Sequence, residues 1–192
     1  DRWAGDGDRV AIYTRRAAGT ETAITFDELR EYTNALANYL ADQGVERGDR
    51  VAVNTPQKPE TVVAHVAAWK LGAVSVPLSV LHGPDAVAYR LEDAGCVAAI
   101  VDASNLDSFR EGCADVDALD SVLSVAADDQ EPGERDLWDV IENGDPEFEP
   151  VTTDPEETAI ILYTSGTTGD PKGVVHAHRL LLGFLPMLVN TI

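Results

Sequence analysis

Helical patterns and short apolar runs alternate along the first half of the chain. Three times, a segment with apolar residues at helical spacing is followed by a short run typical of a buried strand. Helices are predicted after Thr25 as far as residue 40, at 59–71 and at 84–94. Strands are predicted at 50–54, 74–77 and 97–101. Because a helix between two strands favours parallel pairing, the sequence predicts an α/β fold: a mostly parallel sheet with flanking helices.

Local signals set the boundaries of the first two helices. Thr25 followed by Glu28 is the pattern of a capping box, and Gly44 is predicted to close the first helix. Gly72 is predicted to end the second helix. The apolar residues expected on the buried face of the second helix are Val62, Val63, Val66, Ala67 and Leu71. Before the first helix, 10–13 and 23–25 are predicted to form a small antiparallel pair.

The second half of the chain contains shorter elements. A strand is predicted at 119–125, followed by an exposed loop at 127–136. Trp138 and its apolar neighbours predict a short helix that ends at Gly144, and a polar linker at 145–157 follows. Beyond it, a short buried strand at 159–163 and another at 173–175 enclose a loop.

That loop is rich in hydroxyls and glycines and contains one lysine. Its donors are Thr164, Ser165, Gly166, Thr167, Thr168, Gly169 and Lys172. Glycines allow successive N–H groups to converge on an anion, and hydroxyls add further donors. A lysine supplies a mobile point charge that suits phosphate oxygens. The composition predicts a site for a polyphosphate.

Two other phosphate loops are excluded by spacing. A Walker A loop requires Gly-Lys-Ser/Thr after four residues, but Pro171 lies five positions beyond Gly166 and Gly173 follows Lys172. The dinucleotide fingerprint requires a glycine where Thr168 stands, and no helix is predicted directly after the loop.

Three segments resemble the adenylate-forming (AMP-dependent synthetase/ligase) superfamily, in the order in which the family carries them. Residues 163–179, YTSGTTGDPKGVVHAHR, resemble its signature loop. Residues 24–40, ITFDELREYTNALANYL, resemble its first helix, and 69–79, WKLGAVSVPLS, its second core motif. Within the superfamily, 82–86 (HGPDA) and 89–91 (YRL) are most similar to acyl-CoA synthetases of the acetyl and medium-chain type.

The resemblance implies a two-step ligase that uses ATP, Mg²⁺ and coenzyme A. A carboxylate attacks the α-phosphate of ATP to form an acyl adenylate, and the coenzyme A thiol then displaces AMP. The loop donors named above would bind the β- and γ-phosphates. No catalytic residue or metal ligand is assigned within the chain.

Family members are longer than this chain, and the resemblance places residues 1–192 in the N-terminal part of the AMP-binding (adenylation) domain. Much of the acyl pocket, the magnesium-binding acid, most of the coenzyme A site and a small C-terminal domain would follow. The chain starts without Met and ends at Ile192 within a helical pattern, so both ends are expected to be cut. These residues alone are expected to be inactive. Two alternatives remain open: a truncated non-catalytic remnant or binding module, and the adenylation domain of a peptide synthetase, which a downstream carrier-protein domain would favour.

Charge and hydropathy exclude several classes of partner. The formal net charge is −20, so the surface repels nucleic acid and anionic lipid headgroups. No apolar run reaches the ~20 residues of a membrane span, and a cytoplasmic location is expected. The two cysteines, Cys96 and Cys113, fit neither a metal site nor a disulfide framework. The expected partners are therefore a small carboxylic acid and coenzyme A.

The acidity also predicts adaptation to high salt, with an ordinary acidic protein as the alternative. At 1 M salt, screening over about 3 Å removes most of the self-repulsion of a highly charged surface. We therefore expect the melting temperature to rise between low and multimolar salt, as followed by circular dichroism. An unchanged melting temperature would refute the adaptation.

Overall fold

The structure, a computed structural model, describes residues 8–15, 19, 21–165 and 169–183. The strands are β1 (Val10–Arg15), β2 (Glu21–Thr25), β3 (Arg50–Asn54), β4 (Val74–Pro77), β5 (Cys96–Asp102), β6 (Ser121–Val125), β7 (Glu134–Asp136), β8 (Thr158–Thr164) and β9 (Lys172–Ala177). The helices are α1 (Phe26–Asp42), α2 (Pro59–Leu71), α3 (Pro84–Ala94), α4 (Leu106–Cys113), α5 (Leu137–Asn143) and α6 (Arg179–Gly183), with a short 3₁₀ turn at Ala103–Asn105.

Seven strands form one sheet in the order β7-β6-β5-β3-β4-β8-β9. Every neighbouring pair is parallel except β8 and β9, which form an antiparallel pair at one edge. β1 and β2 form a separate antiparallel pair. The predicted α/β fold with a mostly parallel sheet is confirmed.

Helices cover both faces of the sheet. Val51 and Val53 of β3 belong to the core that contacts α1, α2 and α5, whereas Ala52 between them belongs to the core that contacts α3 and α4. Successive side chains of a strand point to opposite faces, so a strand buried on both sides consists of consecutive apolar residues. This is why β3 and β5 could be predicted from short apolar runs.

The capping box at the start of α1 is confirmed. The backbone N–H of Thr25 donates to Glu28 Oε2 at 2.7 Å, and the N–H of Glu28 donates to Thr25 Oγ1 at 3.2 Å. Gly72 ends α2 with a left-handed φ of 75°. Gly44, also left-handed at 88°, follows the C-terminal end of α1.

The predicted face of α2 was partly wrong. Val62 is 39% exposed, whereas Val63, Ala64 and Ala67 are fully buried. Apolar residues lie all around α2, so their spacing did not define which side faces the sheet.

Three further predictions need correction. The loop predicted at 127–136 contains β7, and the strand predicted at 119–125 begins only at Ser121. β8 was expected to be buried, but apart from Ala159 its residues are half-buried or, at Thr164, exposed. Helix α4 was not predicted.

Among the described residues, no helix has the length and apolar character required to cross a bilayer.

Candidate functional site

The candidate site lies at the carboxyl edge of the parallel sheet. β3, β4, β5 and β8 run in the same direction, so the segments that follow them emerge at one edge. In open α/β sheets this edge is where ligands usually bind. The predicted polyphosphate loop joins β8 to β9 there.

The antiparallel pairing of β8 and β9 sets the base of the loop. Thr164 is paired with Lys172, and Tyr163 with Gly173. Pairing therefore places two of the predicted phosphate ligands opposite each other, one at each end of the loop. Thr164, Ser165 and Lys172 are all exposed and accessible to a ligand.

The structure describes only part of the loop. Gly169 adopts a left-handed φ of 99°, as predicted for a glycine that turns the backbone. Gly166, Thr167 and Thr168 lie outside the described residues.

Gly173 is needed for the two strands to approach. A Cβ at this position would lie 2.9 Å from Ile161 Cγ2 and 3.4 Å from a ring atom of Tyr163. A larger residue would require either the Ile161 side chain or β9 itself to shift next to Lys172. The glycine therefore contributes to the position of the lysine through packing.

Helix α3 is hydrogen-bonded to both ends of the loop. The hydroxyl of Tyr89 donates to the carbonyl oxygen of Pro171 at 2.9 Å. The hydroxyl of Tyr163 donates to Asp93 Oδ2 at 2.6 Å, and the guanidinium of Arg90 lies 5.5 Å from the centroid of the Tyr163 ring. Burial, with a smaller contribution from the bond to Asp93, raises the pKa of Tyr163, so this phenol keeps its proton at neutral pH.

The role of α3 was missed in the analysis of the sequence. Residues 89–91 contributed to the family resemblance, but nothing in their spacing indicated a contact with the loop. Tyr89 and Pro171 are separated by 82 positions in the chain.

An ion pair between an exposed lysine and a buried aspartate connects neighbouring segments at the same edge. Lys58 Nζ lies 2.5 Å from Asp102 Oδ2, and the N–H of Ser104 donates to Asp102 Oδ1 at 3.0 Å. Burial acts to raise the pKa of Asp102, but the bonds from Lys58 and Ser104 outweigh it and hold the pKa below its usual range. Asp102 is only 2% exposed, so its carboxylate supports the edge and is not an accessible ligand, whereas the Lys58 side chain is 40% exposed.

A second buried polar group fixes the segment after β4. The side chain of Asn54 is fully buried, and its Nδ2 donates to the carbonyl oxygen of Ser79 at 3.0 Å. A buried amide with satisfied bonds specifies one arrangement of the chain. The segment that leads into α3 is therefore held to the sheet.

The histidines and cysteines do not form a second site. Within the described parts of the chain, no group of three or more His, Cys, Asp or Glu residues could hold a metal ion. His65 lies with Nδ1 2.5 Å from Ser75 Oγ, and burial lowers its pKa to about 4, as expected for a neutral packing residue. Burial raises the pKa of Cys96 to about 12, which makes it a poor nucleophile.

The described geometry suits an anionic ligand with several oxygens. Lys172 presents a positive charge, Thr164 and Ser165 present hydroxyls, and α3 fixes the ends of the loop that joins them. Charge-assisted hydrogen bonds of this kind are stronger than neutral ones.

Known proteins share sequence similarity with nearly the whole chain. The family model described as AMP-binding enzyme matches residues 1–189. An acetyl-coenzyme A synthetase from Streptomyces avermitilis is 36% identical over 187 residues, covering 90% of this chain and 29% of that protein. An uncharacterised acyl-CoA ligase from Bacillus subtilis is 30% identical, covering 93% of this chain and 33% of that protein.

Two solved structures share the fold. The crystal structure of an acyl-CoA synthetase from Brucella canis has a TM-score of 0.84 and 31% identity, covering 96% of this chain and 33% of that one. An anthranilate CoA ligase in complex with anthranoyl-AMP has a TM-score of 0.80 and 27% identity, covering 89% of this chain and 32% of that one. The chain thus spans about a third of the length of these proteins.

Proposed function

The chain belongs to the family of AMP-binding enzymes, and from this premise we propose that the protein containing it activates a carboxylic acid with ATP and transfers the acyl group to coenzyme A. The observation that carries the proposal is the pairing of Thr164 with Lys172 at the base of the loop, at the carboxyl edge of the sheet. The acetyl-coenzyme A synthetase and acyl-CoA ligase relatives support the same reaction class.

In the first step, a carboxylate oxygen attacks the α-phosphorus of ATP and the bond from that phosphorus to the bridging oxygen breaks. Pyrophosphate leaves, and negative charge accumulates on it in the transition state. Donors already directed at the β- and γ-phosphates stabilise that charge more than they stabilise the ground state. We assign this task to Lys172, to the hydroxyls of Thr164, Ser165, Thr167 and Thr168, and to backbone N–H groups near Gly166 and Gly169.

In the second step, the sulfur of coenzyme A attacks the acyl carbon and the bond to AMP breaks, which yields a thioester. Mg²⁺ would offset phosphate charge in the first step, and the nucleotide would supply most of its oxygen ligands.

The 192 residues alone are proposed to be inactive. Correct orientation of both reactants can lower the activation barrier by about 7 to 11 kcal/mol. Such orientation requires protein groups on more than one side of the substrates. The chain spans only about a third of its relatives, so the activity is assigned to the full-length protein.

The test is ATP–pyrophosphate exchange by the full-length protein with a panel of acids that includes acetate, medium-chain fatty acids and benzoates. We expect exchange with at least one acid, and AMP release on addition of coenzyme A. Exchange that proceeds without coenzyme A but gives no thioester on its addition would favour a carrier-protein acceptor. No exchange with any acid would overturn the proposed function.

A further inference from the structure

We propose that Tyr89 is a positioning residue that holds the loop at 165–171 in the arrangement required for adenylate formation. This inference rests on the proposed function of the loop. Tyr89 itself would not touch the substrates. It would act through the backbone of Pro171, the residue immediately before Lys172.

Two hydrogen bonds connect α3 to the two ends of the loop. On the β9 side, the Tyr89 hydroxyl donates to the carbonyl oxygen of Pro171 at 2.9 Å. On the β8 side, the Tyr163 hydroxyl donates to Asp93 Oδ2 at 2.6 Å. The two phenol rings also meet edge to face, with centroids 6.4 Å apart. Both ends of the loop are thus tied to one helix.

Helix α3 is a rigid support for these contacts. Val87 and Leu91 are fully buried in the core on this face of the sheet, and Arg90 is 9% exposed beneath the Tyr163 ring. At the N-terminal end of α3, a Cβ on Gly112 of α4 would lie 2.5 Å from the carbonyl oxygen of Pro84. Such close packing of α4 against α3 leaves the helix little freedom to shift.

The loop itself has few other restraints among the described residues. Among the described strands, β9 lies at the edge of the sheet and pairs with β8, and its residues 172–175 are exposed. Next to the β8–β9 pairing, which ends at Lys172, the Tyr89 bond restrains the backbone at Pro171. Displacement of a catalytic group by about 1 Å can reduce a rate about 100-fold, so loss of this restraint should affect the use of Lys172.

The experiment compares Tyr89→Phe with Tyr39→Phe in the full-length protein. Both variants remove one phenol hydroxyl, but Tyr39 packs against the core on the opposite face of the sheet. Tyr163→Phe serves as a second test, because it removes the other contact. Two quantities are measured: hydrogen–deuterium exchange of the backbone at 165–173 without ligands, and kcat and KM for pyrophosphate exchange. Melting temperatures are recorded in parallel.

We expect Tyr89→Phe to speed deuterium uptake in the loop and to lower kcat about 5-fold, the factor that corresponds to one hydrogen bond. KM for the carboxylic acid and the melting temperature should stay close to those of the wild type. Tyr163→Phe should also speed deuterium uptake in the loop and lower kcat. Tyr39→Phe should change neither deuterium uptake nor kcat. A lowered melting temperature with normal kcat would indicate a merely structural residue and overturn the proposal.

Failure of this inference can be distinguished from failure of the proposed function. Unchanged deuterium uptake and unchanged kcat in Tyr89→Phe would overturn the positioning role while wild-type activity upheld the function. Faster uptake in a protein whose wild type activates no acid would instead overturn the function, and with it the catalytic importance of Tyr89.

Discussion

Replacement of Lys172 with alanine in the full-length protein is expected to slow adenylate formation by about 100-fold or more. Removal of one preorganised donor from a developing negative charge typically costs ~3 kcal/mol of barrier. Lys172 is exposed and paired with Thr164 at the base of the loop, so its loss should not disturb the core. The measurement is kcat for pyrophosphate exchange, with carboxylic acid binding followed separately. Acid binding should be nearly unchanged.

Arg179→Ala is the matched control for this experiment. It also removes one positive charge, but Arg179 is the first residue of α6, beyond the far end of β9, and its side chain is 66% exposed and pairs with Glu156. Lys172→Arg separates charge from shape, because a guanidinium keeps the charge but presents a rigid planar fork. Equal turnover by Lys172→Ala and the wild type would contradict the assigned role.

The predictions that succeeded depended on local chemistry. Thr25 and Glu28 form their bonds within one helical turn, and Gly72 ends α2 because the left-handed backbone there disfavours other residues. The apolar runs of β3 and β5 gave the parallel sheet, because central strands are buried on both faces. Each of these signals lies within a few residues of the structure it determines.

The predictions that failed depended on distant contacts. β7 lies within a polar segment, and its first residue, Glu134, is held by Arg110 of α4, with Arg110 Nη2 2.7 Å from Glu134 Oε2. Similarly, the buried side of α2 is set by the helices and strands around it. Sequence spacing does not contain that information when apolar residues lie on every side.

The candidate site shows the same division. The loop donors could be named from the sequence because glycines, hydroxyls and a lysine are adjacent. The contacts that hold the loop could not be predicted from the sequence. Tyr89 and Pro171 are 82 positions apart in the chain, and Tyr163 and Asp93 are 70 positions apart. The sequence therefore indicated which groups could bind a ligand, and the structure indicates what holds them in place.

Replacement of Phe109 with alanine is expected to lower the free energy of unfolding substantially, which is the second large effect. Phe109 of α4 is fully buried in the core that also contains Val87 and Leu91 of α3. Truncation of a buried phenylalanine removes its transfer free energy and leaves a cavity, at a cost of about 3 to 5 kcal/mol. The measurement is the urea concentration at the midpoint of unfolding of the full-length protein, followed by circular dichroism, with the slope of the transition checked for a change in mechanism.

Leu81→Ala is the control, because Leu81 is 89% exposed and its truncation should change the free energy of unfolding by no more than about 0.5 kcal/mol. Because α4 packs against α3, the cavity left by Phe109→Ala should also weaken the support of the two tyrosine contacts. We therefore expect faster deuterium uptake at 165–173 in Phe109→Ala than in Leu81→Ala. If Phe109→Ala lowered the free energy of unfolding by less than about 1 kcal/mol, α4 would not pack in this core as described.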